Sequence, residues 1–208
     1  MEDSSRTDSG LVVVDYGVGN LGSVGRALKR MGRAYSLTAD REAVASASKL
    51  LLPGVGHFGE SMLNLRKLGL DDAIGQALGD GAALFGICVG FQMLFDRSEE
   101  ADGVPGLGLI PGHVRRFDAS LRVPHIGWNQ LEGLASQPLL EGVGDGDYFY
   151  FLHSYFAVPS EPEASWATTE YGHPFCSVAG AGAVCGIQFH PEKSQQLGLR
   201  VLENFCQS

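Results

Sequence analysis

Three short runs consist almost entirely of apolar residues: LVVVD (11–15), KLLLP (49–53) and AALFGI (82–87). Such runs are typical of strands buried on both faces of a parallel sheet. A weaker strand pattern, AYSLTA, covers residues 34–39. Apolar positions at helical spacing follow in 20–31 and in 58–78, where Gly69 predicts a break between two short helices. A further helix begins at VGFQMLFD. This alternation predicts an α/β fold in which helices flank a mostly parallel central sheet.

The second half of the chain has a different pattern. Short β-rich segments dominate from about residue 110 to 187, and SQQLGLRVLENF (194–205) predicts a closing helix. The segments are HVRRF, DYFYFLHSYFAV, SWATTEY, PFCSV and AVCGIQF. We interpret them as antiparallel additions to the sheet. The polar, acidic start (residues 1–10) predicts a disordered leader, and residues 11–208 predict one domain.

Composition excludes several classes of function. The formal net charge of −9 argues against nucleic acid or an anionic membrane as the main partner, because phosphates require cationic surfaces. No apolar run approaches the roughly 20 residues of a membrane-spanning helix. None of the four cysteines lies in a CxxC pair, so we expect no metal site. With no secretory signal at the start, we expect a cytoplasmic protein with free thiols.

A glycine-rich turn raises one functional alternative. Residues 17–22 match G-x-G-x-x-G between a predicted strand and a predicted helix, and Asp40 follows 18 residues after Gly22. This is the sequence context of a dinucleotide-binding loop. A nucleotide-binding oxidoreductase is therefore one hypothesis, and a tight turn that needs glycine for its backbone conformation is the other.

A stronger chemical pattern surrounds Cys88. The sequence FGICVGFQMLF sets Cys88 between Gly86 and Gly90, where a predicted strand meets a predicted helix. That arrangement has the form of a nucleophile elbow, in which the backbone amide of Val89 faces the reacting centre. A helix N-terminus at this point also favours a thiolate. The alternative is a cysteine that only fills the core.

A nucleophilic cysteine requires a base and a group that orients the base. In GIQFHPEKS (186–194), a predicted strand leads into His190, Pro191 ends it, and Glu192 follows. Glu192 is positioned to accept a hydrogen bond from one ring nitrogen of His190, leaving the other for the thiol. A surface turn with an unrelated His and Glu is the alternative. His153, within an apolar strand, is interpreted as a structural or pocket-wall residue.

These two motifs, about 100 residues apart, resemble the class I (triad) glutamine amidotransferases. Further blocks resemble the glutaminase subunits of imidazole glycerol phosphate synthase, the HisH family of histidine biosynthesis. In chain order, the additional blocks are DYGVGNLGSV (15–24), LLPGVGHFGESM (51–62), RSEE (97–100), VPHIGWNQL (123–131) and YFYFLHSYF (148–156). The G-x-G-x-x-G match is then part of the first block. A glutaminase of another amidotransferase, such as anthranilate synthase, remains the nearest alternative.

The resemblance implies the chemistry of the site. Cys88 attacks glutamine, His190 transfers the proton and Glu192 holds the imidazole, so that glutamine is hydrolysed to glutamate and ammonia through a thioester. The backbone amides near Val55 and Val89 form the oxyanion hole, and no cofactor is required. The segment around Val55 is expected to change its peptide orientation only when the synthase partner is activated.

The resemblance also implies contacts with substrate and partner. The substrate-binding positions are Gly54, Gln92, Glu100, Ser154 and Tyr155. The partner is a (β/α)₈-barrel subunit, HisF, which receives the ammonia and forms imidazole glycerol phosphate and aminoimidazole carboxamide ribotide. The positions matched to that interface are Asn20, Tyr150 and Lys193.

Overall fold

A computed structural model describes residues 10–208 of the chain. The predicted leader lies outside the described residues except for Gly10. None of the helices in the described range is long and apolar enough to cross a membrane.

Twelve strands are present in the described residues. They are β1 (Leu11–Val14), β2 (Ser36–Thr38), β3 (Lys49–Gly54), β4 (Ala83–Cys88), β5 (Arg97–Ser98), β6 (Gly112–Arg116), β7 (His125–Gln130), β8 (Tyr148–His153), β9 (Tyr155–Pro159), β10 (Ser165–Glu170), β11 (Pro174–Ala181) and β12 (Val184–Ile187). One sheet has the order β2-β1-β3-β4-β12-β11-β9-β6-β5, with β10 paired to β11. Strands β7 and β8 form a separate antiparallel pair.

Six α-helices accompany the strands. They are α1 (Leu21–Arg30), α2 (Arg41–Ala45), α3 (Phe58–Lys67), α4 (Leu70–Gly79), α5 (Val89–Gln92) and α6 (Gln195–Gln207). The predicted break between α3 and α4 is confirmed, since Gly69 adopts a left-handed conformation with φ of 65°. Helix α2 was not predicted; the Asp40 side chain caps it by accepting a hydrogen bond from the Ala43 amide at 2.8 Å.

The parallel half of the large sheet determines where the site forms. Strands β2, β1, β3, β4 and β12 are mutually parallel, so their carboxyl ends share one edge. Leu50, Leu51 and Leu52 of β3 are fully buried, as the apolar run predicts. Ligands bind at the carboxyl edge of such sheets. Adjacent strands β3, β4 and β12 therefore bring Val55, Cys88 and His190 to the same edge.

Three sequence-based expectations need correction. Strand β3 extends to Gly54, one residue beyond the predicted segment 49–53, because parallel pairing with β4 extends to Cys88. The segment DYFYFLHSYFAV is divided at Ser154 into β8 and β9, which belong to different sheets. The last β segment is not purely antiparallel: β12 pairs parallel with β4 and antiparallel with β11.

The hairpin of β7 and β8 has two unlike faces. The pairs Ile126–Leu152 and Trp128–Tyr150 alternate along the hairpin with buried pairs such as His125–His153. Trp128 is 46% exposed and Ile126 is 58% exposed. The outer face of the hairpin is therefore an apolar surface, which we call the hairpin patch and define by Ile126, Trp128, Tyr148, Tyr150 and Leu152.

Lys49 joins the sheet to the last turn of α6. Its Nζ donates hydrogen bonds to the carbonyl oxygens of Phe205 at 3.2 Å and Cys206 at 2.7 Å. These carbonyls have no later helical amide to accept from, and a cation there also offsets the helix dipole. The Phe205 ring stacks on Phe85 of β4 at 5.0 Å, so this contact fixes α6 against the central sheet.

We predict that Lys49→Met lowers the free energy of unfolding by about 1–2 kcal/mol, because the Cys206 carbonyl oxygen loses its donor and the Phe205 carbonyl oxygen keeps only the Ser208 hydroxyl. Urea unfolding followed by circular dichroism measures this. Lys67→Met is the matched control, since this exposed lysine lies in the last turn of α3. Equal stability losses in the two variants would contradict the capping role.

Candidate active site

Cys88 lies at the sharp junction between β4 and α5. Its φ of 55° is in the left-handed region, which is costly for a side chain with a Cβ atom. The junction holds because the backbones around it are in close contact: a Cβ on Gly90 would lie 1.9 Å from the Leu52 carbonyl oxygen, and one on Gly86 would lie 2.7 Å from the Gly90 oxygen. The predicted elbow is therefore present. Helix α5 is only four residues long, so the expected help from a helix dipole is smaller than the sequence suggested.

A short hydrogen bond joins the histidine and the glutamate of the predicted triad. His190 Nδ1 lies 3.0 Å from Glu192 Oε1, and both side chains are almost fully buried. Because a carboxylate only accepts, Nδ1 carries the proton and Nε2 is left for the cysteine. Pro191 begins a 3₁₀ turn between the two residues, as its fixed φ allows. Asn20 Nδ2 donates to the same Glu192 oxygen at 3.4 Å.

The charge balance of the site depends on His190. Burial lowers the pKa of His190, but hydrogen bonds to Cys88 and Glu192 outweigh burial and raise the pKa to about 10. An imidazolium beside Sγ stabilises negative charge on the sulfur. Cys88 Sγ lies 3.9 Å from the Leu152 carbonyl oxygen, to which the thiol donates. The arrangement therefore favours transfer of the thiol proton to His190.

A cavity of about 230 Å³ opens in front of the sulfur. A cavity of this size can hold a small metabolite. The lining residues are Val55, Gly56, Cys88, Val89, Gln92, Glu100, Pro124, Leu152, His153, Ser154, Tyr155 and His190. No cluster of three or more His, Cys, Asp or Glu side chains arranged to hold a metal occurs within residues 10–208.

Most residues matched to glutamine binding meet at this cavity. Gln92 donates from Nε2 to the Tyr155 carbonyl oxygen at 3.0 Å, and Glu100 Oε2 accepts from the Phe58 amide at 2.7 Å. Gly54 does not line the cavity. It packs against α5 instead, where a Cβ would lie 2.4 Å from the Gly90 nitrogen.

The three positions matched to the partner interface have different environments. Lys193 Nζ lies 5.4 Å from the centre of the Tyr150 ring, which itself packs edge-on to Trp128 at 6.0 Å. Lys193 therefore extends the hairpin patch next to Tyr150. Asn20 instead contacts Glu192, so its amide links the loop after β1 to the triad.

Comparison with known proteins identifies the family. A family model described as glutamine amidotransferase class-I matches residues 12–208. The chain is 46% identical over 195 residues to "Imidazole glycerol phosphate synthase subunit HisH" of Moorella thermoacetica, covering 94% of this chain and 93% of that protein. It is 48% identical over 202 residues to the HisH subunit of Halobacterium salinarum, covering 94% and 91%. The chain belongs to the class I glutamine amidotransferase family, within its HisH group.

Solved structures agree on the fold. One reported as "Crystal structure of glutamine amidotransferase" has a TM-score of 0.75 at 23% identity and covers 95% of this chain and 97% of that chain. Another, reported as "Structure of PurLQS from Thermotoga maritima", has a TM-score of 0.70 at 20% identity, covering 95% and 96%. The predicted class I amidotransferase fold and the predicted glutamine amidotransferase activity are confirmed.

The family also accounts for the early glycine-rich turn. Residues 17–20 lie in the loop between β1 and α1 that carries Asn20 to Glu192, and residues 21 and 22 begin α1. Asp40, which a dinucleotide site would use for a ribose, caps α2. The loop therefore contacts the His190–Glu192 pair, and an oxidoreductase site is not required to explain it.

Sequence reasoning missed two buried polar residues of the amidotransferase site. Tyr16 donates from its hydroxyl to the Pro53 carbonyl oxygen at 2.7 Å, which fixes the start of the segment containing Val55. Burial raises the pKa of Tyr16, so its hydroxyl stays a donor. Gln188 lies 3.8 Å from Cys88 Sγ through its Nε2 atom. Its separation of two residues from His190 was the available signal, because alternate residues of an extended chain share a face.

Two buried histidines form a hydrogen-bonded chain behind the cavity. His153 Nδ1 lies 2.8 Å from the Tyr155 carbonyl oxygen, so that nitrogen must donate. His153 Nε2 then accepts from His125 Nδ1 at 3.1 Å, and His125 Nε2 accepts from Asn129 at 3.3 Å. Each ring is satisfied in its neutral form. His153 is therefore a structural pocket-wall residue, as the sequence indicated.

The histidine pair predicts acid sensitivity. Burial lowers the pKa of His125 to about 4 and of His153 to about 3, so the unfolded chain binds protons below pH 6.5 that the folded chain excludes. The stability that neutral burial of this pair contributes is therefore fully present above about pH 6.5 and falls as the pH decreases toward 4. Between these pH values the free energy of unfolding changes with pH. Replacing His125 by Asn should reduce the slope of that dependence by about 1.4 kcal/mol per pH unit, the contribution of one proton.

Urea unfolding at a series of pH values measures the slope. His113→Gln on β6 is the control for the loss of a histidine outside the pair. An unchanged slope in His125→Asn would contradict neutral burial of the pair.

Proposed function

We propose that the chain is the glutaminase subunit of an imidazole glycerol phosphate synthase, with Cys88, His190 and Glu192 as its catalytic triad. The observation that carries the proposal is the strained Cys88 in one cavity with His190, whose other nitrogen is held by Glu192. High identity to HisH subunits over nearly the whole chain supports the choice of synthase.

The first half of the reaction forms a thioester. The Cys88 thiol gives its proton to His190, and the sulfur attacks the side-chain carbonyl carbon of glutamine. The charge on the carbonyl oxygen is stabilised by the backbone amides of Val89 and Val55. As the carbon–nitrogen bond breaks, His190 donates this proton to the leaving nitrogen, and ammonia is released.

Water completes the cycle. His190 accepts a proton from water as the water oxygen adds to the acyl carbon, and the carbon–sulfur bond then breaks. The electron pair of that bond stays on Cys88, and glutamate is released. Glu192 holds the imidazole in the required tautomer through both halves, and Asn20 in turn holds Glu192.

The other cavity residues select glutamine. Glu100 presents a carboxylate that suits the α-ammonium group, while Ser154 and Tyr155 suit the α-carboxylate. Both amide hydrogens of Gln92 are used internally, so its oxygen is the atom offered to substrate. The hydrogen bond from Tyr16 to Pro53 limits reorientation of the oxyanion segment to the peptides after Pro53.

Ammonia must be consumed next to the site where it forms, because ammonia released into neutral water becomes protonated. The proposed partner is a (β/α)₈-barrel subunit, HisF, which works with this chain in the cytoplasm. It would use the ammonia to form imidazole glycerol phosphate and aminoimidazole carboxamide ribotide. The hairpin patch, together with Lys193, is the proposed docking surface, since exposed aromatic residues are typical of interface centres.

A glutaminase assay with and without a barrel subunit tests this function. We predict glutamate release that rises when the barrel subunit is added with its substrate, and that is lost in Cys88→Ala. Formation of imidazole glycerol phosphate from glutamine should depend on both subunits. Glutaminase activity that persists in Cys88→Ala, or ammonia supplied only to a different synthase such as anthranilate synthase, would contradict the proposal.

Trp128→Ala tests the docking surface. We predict that the dissociation constant for the barrel subunit rises on the order of tenfold or more, because a large exposed aromatic residue is lost from the patch centre. Isothermal titration calorimetry measures this. Leu63→Ala, a similarly exposed apolar residue on α3, is the control and should leave the dissociation constant unchanged. Equal weakening by both variants would argue against the hairpin patch.

A further inference from the structure

A buried amide reaches the nucleophile from the side of the sheet. Gln188 follows β12, is fully buried, and lies with its Nε2 atom 3.8 Å from Cys88 Sγ. Its backbone amide donates to the Ser177 carbonyl oxygen at 2.8 Å, which fixes the residue against β11. A buried amide group requires partners for both its oxygen and its nitrogen.

The orientation of this amide is determined by its neighbours. The Tyr155 carbonyl oxygen only accepts, so the Gln92 side chain must turn its nitrogen toward Tyr155. The same nitrogen lies 3.0 Å from the side-chain oxygen of Gln188. Gln188 therefore presents its oxygen to Gln92 and its N–H group to the sulfur. The backbone of Tyr155 thus sets the direction of both amides.

We propose that Gln188 is a catalytic residue whose side-chain N–H group donates a hydrogen bond to Cys88 Sγ and stabilises negative charge on the sulfur. This role deepens the proposed glutaminase function and rests on it. The hydrogen bond acts twice in the cycle. It favours the thiolate before attack, and it stabilises the same sulfur when the carbon–sulfur bond of the thioester breaks and the electron pair returns to it.

The arrangement also connects substrate recognition to the nucleophile. Gln92 lines the glutamine cavity and is the partner that orients Gln188. A substrate molecule that displaces the Gln92 side chain removes the hydrogen-bond donor to the Gln188 oxygen. The Gln188 amide is then free to rotate away from the sulfur. A substrate that leaves Gln92 in place therefore also keeps the Gln188 amide directed at the Cys88 sulfur, where it stabilises negative charge.

Two substitutions remove the donor in different ways. Gln188→Met keeps the length of the side chain but has no donor, and Gln188→Glu keeps the acceptor for Gln92 while turning a carboxylate toward the sulfur. We expect Gln188→Met to lower kcat/KM on the order of tenfold. We expect Gln188→Glu to lower it further, because like charges repel across a short buried distance.

Alkylation of Cys88 by iodoacetamide, followed across pH by mass spectrometry, separates this role from a structural one. The pH midpoint should move up by about one unit in Gln188→Met and further in Gln188→Glu. Both variants retain the other titratable groups around the sulfur, so the shift in Gln188→Met reports loss of the amide donor and the further shift in Gln188→Glu reports the added carboxylate. These groups are Tyr16, Glu100, His153, Tyr155, His190 and Glu192.

Thr169→Val is the matched control. Thr169 is a fully buried polar residue that accepts a hydrogen bond from Ser177 at 2.6 Å, so its loss lowers the melting temperature without changing the sulfur's surroundings. Its alkylation midpoint should equal that of the original chain. Unchanged midpoints in both Gln188 variants, or an equal shift in Thr169→Val, would overturn the proposal. Alkylation needs no turnover, so an original chain without glutaminase activity would refute the proposed function and leave this test intact.

Discussion

The backbone contact between Gly90 and Leu52 holds the active site in shape. It presses the start of α5 against β3, and the chain can make that approach only without a side chain at residue 90. The resulting turn forces Cys88 into a left-handed conformation at the edge of the sheet. This strain is offset by the packed core of β3 and β4, whose central residues are fully buried. The packed sheet therefore holds the Cys88 side chain in one position, which a mobile loop would not do.

A second fixed point is the carbonyl oxygen of Tyr155. It accepts hydrogen bonds from Gln92 and from His153, two residues on different elements. Through Gln92 it orients Gln188 toward the sulfur, and through His153 it is linked to His125 on β7, next to the hairpin patch. One backbone group thus sits between the nucleophile, the substrate cavity and the proposed docking surface. The hydrogen bonds of this network fix the orientation of the two amides and the two imidazole rings, and the Gln92 side-chain oxygen is left for a ligand.

The sequence predicted strands β1, β3 and β4 well, because they are buried on both faces and read as continuous apolar runs. The LVVVD and AALFGI segments became β1 and β4 nearly to the residue. The division of YFYFLHSYF at Ser154 was not predictable, since both parts are equally rich in β-formers and only tertiary pairing separates them.

Within the site, motif spacing was enough to predict the elbow and the His190–Glu192 pair. Tyr16 was missed because a single buried phenol has no local pattern, and Gln188 was missed although its separation of two residues from His190 placed it on the same face of the extended chain. Gly54 was assigned to substrate by resemblance to the family, and that role stays a prediction; its close approach to the α5 backbone was not predicted. Close backbone approaches of this kind depend on how two elements pack, which no local stretch of sequence encodes.

The central claim is that Cys88, activated by His190, is the nucleophile of a glutamine pocket. Labelling with a glutamine analogue that carries an electrophilic diazoketone tests it most directly, with the barrel subunit present and the products mapped by peptide mass spectrometry. The account predicts one covalent adduct, on Cys88, that excess glutamine prevents and that His190→Asn slows strongly. Adduct formation on Cys176, Cys185 or Cys206, or undiminished labelling of Cys88→Ser, would contradict it.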